Sequence, residues 1–130
     1  MKLLAIVTVI CIQFLTLAII DACRITVVVR SKTKTPFKFR IVVPSVNAMT
    51  EEILFNHEAQ QKQIDGGSCV SKPWLFQTSH QGENGEWQRA KEATAKIDGQ
   101  GRMVVSIDDA LDPQIGDRFA VFCSESVICG

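Results

Sequence analysis

Apolar and polar side chains alternate with period two along much of the chain, and that periodicity predicts strands. Arg24 to Arg30 sets Ile25, Val27 and Val29 on one face and Thr26 and Arg30 on the other. Phe37 to Val43 collects Phe37, Phe39, Ile41 and Val43 against Lys38 and Arg40. The polar link Ser31-Lys32-Thr33-Lys34-Thr35-Pro36 between them predicts a hairpin-like pair. A third strand, Trp74 to Thr78, follows Pro73, whose fixed φ and missing N–H suit a strand entrance. Arg102 to Asp108 aligns Met103, Val105 and Ile107, and Arg118 to Cys123 aligns Phe119, Val121 and Cys123. Turn chemistry marks the intervals: Gly66-Gly67, Gly82 to Gly85, Asp98-Gly99-Gln100-Gly101, and Pro113 with Gly116.

Two segments fit either element. Residues 46–64 carry Val46, Met49, Ile53, His57 and Ile64 near helical spacing, although Ile53 and Phe55 alternate. Residues 87–97 read as a strand or as a helix bearing Trp87, Ala90, Thr94 and Ile97. Neighbouring strands and short connections favour strands in both. The expected fold is therefore all-β: an antiparallel β-sandwich of about seven strands, with Phe37, Phe39, Trp74, Phe76, Phe119 and Phe122 as core. It is not a true immunoglobulin domain. Trp74 follows Cys69 by only five residues, Val121 stands where that fold puts a tyrosine, and the chain has no tyrosine.

The first twenty-two residues follow a different rule. After Met1-Lys2, Leu3 to Ile20 is apolar except for Thr8, Gln13 and Thr16, which predicts a signal peptide cleaved after Ala18 or Ala22. No stable membrane span is expected after cleavage, so residues 23–130 form one domain. Loss of residues 1–22 removes Cys11 and leaves four cysteines, Cys23, Cys69, Cys123 and Cys129. An even count outside the cell implies two disulfides, with three connectivities open. Spacings of 46, 54 and 6 residues do not form the close pairs of a zinc site.

Three short stretches, Cys23-Arg24-Ile25-Thr26-Val27, Cys69-Val70-Ser71-Lys72-Pro73-Trp74 and the closing Cys123, resemble a pattern in small secreted nematode proteins. The resemblance implies secretion and a disulfide-bearing β fold, and it brings no activity with it.

Composition narrows the chemistry. The 130 residues are 46% hydrophobic and 22% charged, enough apolar material for one folded domain, with 14 basic and 14 acidic side chains. That balance, with no aromatic residues interleaved on a basic face, excludes nucleic acid as a partner. The only histidines are His57 and His80; no Gly-x-Ser-x-Gly elbow is present, and bridged cysteines are not nucleophiles. No catalytic residue is expected, and the protein reads as non-enzymatic. A blue-copper site would need a histidine soon after its cysteine, and none follows Cys123. No cofactor is expected. Asp108, Asp109, Asp112 and Asp117 lie in one loop region and are candidate calcium ligands, set against the turn-forming role that loop aspartates commonly have.

Charge is uneven along the chain. Residues 23–50 hold six basic groups and no acid, while residues 51–97 sum to −2 and residues 98–130 to −4. Lys32, Lys34, Lys38 and Arg40 are therefore candidate contacts for an anionic partner. Trp87, among polar neighbours, is either a recognition residue or a cover over the end of the sandwich. The expected function is a secreted extracellular binding module for an unknown protein, glycan or lipid. The alternatives are an inhibitor or effector acting on a partner enzyme, and a calcium-dependent lipid or glycan binder.

Overall fold

A computed structural model describes residues 24–67 and 72–129. The predicted signal peptide and the cysteines Cys23 and Cys69 lie outside the described residues. The described residues fold into strands with almost no helix: β1 (Ile25–Ser31), β2 (Phe37–Val43), β3 (Ala48–Met49), β4 (Ile53–Phe55), β5 (Gln61–Gly67), β6 (Lys72–Gln81), β7 (Trp87–Ile107) and β8 (Pro113–Ser124). All eight belong to one curled sheet of order β3-β2-β6-β7-β1-β5, with β4 on β2 and β8 on β7. The expected all-β class is what the structure shows. The sheet is mixed, however, because β1 runs parallel to β7 from Ile25↔Gly101 to Ser31↔Ile107.

The two segments that fitted either element are both extended. Residues 46–64 break into the short strands β3 and β4 and the start of β5, and Phe55 enters the core to stack on Phe37 at 4.9 Å. Residues 87–97 are the first half of β7.

The predicted hairpin between β1 and β2 does not form. β1 pairs with β5 and β7, whereas β2 pairs with β3, β4 and β6. The polar link explains why. Lys32 donates its backbone N–H to the Ile107 carbonyl, and the Ser31 hydroxyl donates to the Thr33 carbonyl at 3.0 Å. The first bond pins the link to the end of β7 and the second folds the link on itself, as the chain crosses to the other half of the sheet.

The second correction concerns Asp98 to Gly101. Expected as a turn, it lies inside the 21-residue strand β7. Residues 87–97 of that strand pair with β6, residues 101–107 pair with β1, and β8 runs along the opposite edge from Lys96 to Ile107. The glycines are there for closeness. A Cβ on Gly99 or Gly101 would collide with the carbonyl oxygens of Ala120 or Phe119, and Gly99 has a φ of +105°. One extra residue on β7 at this point gives a β-bulge, and the strand bends there from one half of the sheet to the other.

Core residues come from both halves: Ile25, Val27 and Val29 of β1, Met103, Val105 and Ile107 of β7, Trp74 and Phe76 of β6, and Phe37, Phe39 and Ile41 of β2. Curling brings strands that are not sheet neighbours together. A Cβ on Gly66 of β5 would lie 2.7 Å from the Trp74 ring of β6, so only glycine lets that indole seat. At one end of the sheet the buried Thr78 hydroxyl donates to the Leu111 carbonyl at 2.8 Å, fastening the β7–β8 loop to β6.

Phe119 and Phe122 are not core. They are 78% and 70% exposed, whereas Val121 between them is buried. Ala120 has a φ of +58°, and this left-handed residue opposite the β7 bulge breaks the alternation. Pro113 and Gly116, expected as turn residues, lie inside β8: Pro113 opens the strand, and Gly116 falls in a second register shift.

Candidate interaction surface

The outward side of the half-sheet β5–β1–β7–β8 carries the most unusual surface. By register, Thr26, Val28 and Arg30 of β1 face the same way as Arg102, Val104 and Ser106 of β7, and Arg102 lies opposite Phe119 of β8. Arg30, Arg102, Val104, Asp117, Arg118 and Phe119 line an open recess of about 300 Å³. Val104 and Phe119 are its apolar lining. Val104 is half-buried, and its register partner Val28 is only 1% exposed although it points outward.

The cations on the rim are largely free. Among the described residues Arg102 and Arg118 make no ion pair and no side-chain hydrogen bond, and Arg30 only donates Nε to Gln61 Oε1 at 3.2 Å. Asp117 shares the recess without closing to salt-bridge distance. Phe122, opposite Asp98, extends the exposed aromatic surface along β8. β8 then runs into a short segment closed by the Cys123–Cys129 disulfide. Ile128 of that segment is buried, while Val127 stands 96% exposed.

The residues expected to meet an anionic partner divide into two pairs. Lys32 and Lys34 are exposed on the β1–β2 link. Lys38 and Arg40 project from the outer side of β2 and are engaged there. The Lys38 ammonium sits 4.6 Å from the centre of the Trp87 ring, Arg40 Nε donates to Gln77 Oε1 at 2.7 Å, and its Nη1 lies 4.0 Å from Glu52. Trp87 is thus half-buried under a cation.

The aspartates expected as calcium ligands are not gathered. The Asp108 carboxylate accepts the backbone N–H groups of Ala110 and Asp112, each at 3.0 Å, which is turn formation by a side chain. Asp117 lies on β8 in the recess. Among the described residues no three His, Cys, Asp or Glu side chains stand close enough to hold a metal ion.

His57 is exposed in the β4–β5 connection, and His80 lies near the end of β6. His80, with Thr35, Lys91, Asp109 and Leu111, lines a second cleft of about 520 Å³ at the end of the sheet. Its Nδ1 is 3.5 Å from the Gln81 carbonyl.

Sequence reasoning missed Arg102, Arg118 and the outward turn of Phe119. One signal was present: Phe119 and Phe122 are three residues apart, so an unbroken strand cannot point both inward. Among the described residues no helix is long and apolar enough to cross a membrane. No protein-family model, curated protein or solved structure matches this chain.

Proposed function

We propose that this protein is a secreted, non-enzymatic binding module that engages an extracellular protein partner through the outer face of β1, β7 and β8. The observation that carries this reading is the pair Phe119 and Phe122, 78% and 70% exposed beside arginines that lack ion pairs. Aromatic and arginine side chains concentrate the energy of protein interfaces, and among the described residues these two phenylalanines stay mostly uncovered. The mixture of Val104 and Phe119 with charged residues in the recess suits a protein better than a glycan. Secretion is supported by the apolar leader Leu3 to Ile20, by the even cysteine count that remains once it is removed, and by the Cys123–Cys129 bridge. The resemblance to small secreted nematode proteins points the same way.

A random-peptide display selection against the folded protein tests the contact face. Enriched peptides are expected to lose binding to the Phe119→Ser/Phe122→Ser variant. Peptides that bind both proteins equally would remove the face from consideration.

The same reading takes the two halves of the curled sheet as the layers of a sandwich, with Trp74 against Gly66 as their meeting point. It also takes Cys23–Cys69 as a second disulfide. Cys123–Cys129 leaves those two as the remaining pair, and the last described rung of β1 and β5, Ile25↔Gly67, ends two residues from each. Peptide mapping of the exported protein is expected to recover both bridges and no free thiol. A titratable thiol at Cys23 or Cys69 would refute the second one.

A second reading rests on Val127. A side chain 96% exposed, held in a disulfide-closed segment, is a shape an enzyme inhibitor can present. Inhibition of any protease in an extracellular panel, lost on Val127→Asp, would favour it. Absence of inhibition across the panel would dismiss it.

A further inference from the structure

We infer that the recess rimmed by Arg30, Arg102 and Arg118 receives an acidic–apolar peptide segment of a protein partner: carboxylates on the guanidinium groups, and an apolar side chain against Val104 and Phe119. The inference rests on the reading of this face as the contact surface and names what it recognises.

Charge complementarity carries the argument. Three arginines and one aspartate line the recess, so it is net cationic, although the stretch supplying Arg102, Arg118 and Asp117 is acidic overall. A guanidinium presents a planar fork of donors that a carboxylate can accept two at a time. Elsewhere on this molecule outward arginines find such acceptors: Arg24 lies 3.9 Å from Asp65, Arg40 4.0 Å from Glu52, and Arg89 3.3 Å from Glu92. Around this recess none does, which leaves donor capacity for an incoming acid.

Val104 and Phe119 decide the class of partner. A sulfated glycan or a free phosphate would use the cations, yet it has no apolar side chain for Val104 and Phe119. An anionic bilayer would accept the phenylalanines, but it would also press Asp117 and Asp98 against like charge. A peptide with carboxylates flanking an apolar residue uses both the arginines and the apolar pair. A second copy of this chain is disfavoured along the edge of β8 that is unpaired among the described residues, because two register shifts and the left-handed Ala120 spoil that edge for strand pairing.

Fluorescence anisotropy supplies the test, using the folded exported protein and a dye-labelled peptide with two leucines flanked by glutamates. Binding is expected to weaken about tenfold or more in Arg102→Glu/Arg118→Glu, and about tenfold in Phe119→Ser. It should also weaken as salt rises from about 0.05 M to about 0.5 M. The altered positions are exposed, and unchanged circular dichroism and thermal midpoints verify that the variants are folded. A peptide with lysine for glutamate, or serine for leucine, should bind at least about tenfold less tightly. Equal binding of the lysine peptide, or no loss on charge reversal, would overturn the inference. So would tighter binding of a heparin oligosaccharide or of phosphatidylserine vesicles that depends on the same arginines. If display selection instead yields neutral or basic peptides that need Phe119 and Phe122, the contact face stands and this inference fails. If no selected peptide needs those residues, both fail.

Discussion

The two outward faces of the curled sheet use the same kinds of side chain to opposite ends. On the β2–β6–β7 half, register sets Arg40 beside Gln77 and Gln77 beside Glu92. The amide bridges the row: Arg40 Nε donates to Gln77 Oε1, Gln77 Nε2 donates to Glu92 Oε2 at 2.7 Å, and Arg89 closes on the same carboxylate at 3.3 Å. Gln77 is 8% exposed as a result, although it points away from the core. On the β1–β7–β8 half, register sets Arg102 between Thr26 and Phe119, neither of which carries an anionic acceptor. An outward arginine on a strand is thus satisfied or free according to its cross-strand neighbours. The first face ties its strands together, and the second leaves Arg102 and Arg118 without carboxylate partners among the described residues.

The sharpest contrast is between phenylalanines. Phe39→Ala, at a fully buried position, should cost about 4 kcal/mol in urea unfolding, whereas Phe119→Ala should change stability by less than about 0.5 kcal/mol. Equal costs would mean that Phe119 is packed after all. Next in size is the bend that separates the faces. Gly101→Ala drives a Cβ into the Phe119 carbonyl oxygen, and backbone cannot move aside as a side chain can. A loss of about 3 kcal/mol is expected from the same measurement; a neutral result would show that the bulge is not needed. The polar row comes third. Gln77→Ala should cost about 1–2 kcal/mol, because it removes the amide between Arg40 and Glu92, while Arg102→Gln/Arg118→Gln should cost almost nothing. Comparable losses on the two faces would erase the distinction. The smallest effect is expected at the link. Lys32→Glu/Lys34→Glu should shift elution from heparin only slightly, since neither lysine lines the recess. A large shift would move the anionic contact to that loop.

Much of the strand content was legible in the sequence because alternation is a local property. β1, β2 and the second half of β7 bury the residues their pattern assigns to the core. Strand order was not legible, because pairing joins distant residues: the hairpin expected from Ser31 to Pro36 is a crossing between halves. Asp98-Gly99-Gln100-Gly101 carries the chemistry of a turn, yet here glycine serves close backbone approach inside one strand. The candidate site was hidden by averaging. Arg102 and Arg118 sit in a stretch whose net charge is −4, while the basic run from Arg24 to Arg40 drew attention to Lys38 and Arg40, which the structure engages with Trp87, Gln77 and Glu52. Phe119 was misread because the left-handed Ala120 inverts its side of the strand. Periodicity does not encode a single-residue slip of that kind.

The length of β7 has a consequence for how the molecule comes apart. One continuous backbone belongs to both halves, paired with β6 up to Ile97, with β1 from Gly101, and with β8 on both sides of the bend. Neither half can melt while the other stays intact without tearing that shared strand. Amide protons on both sides of Gly99 should therefore exchange together, in one all-or-none opening.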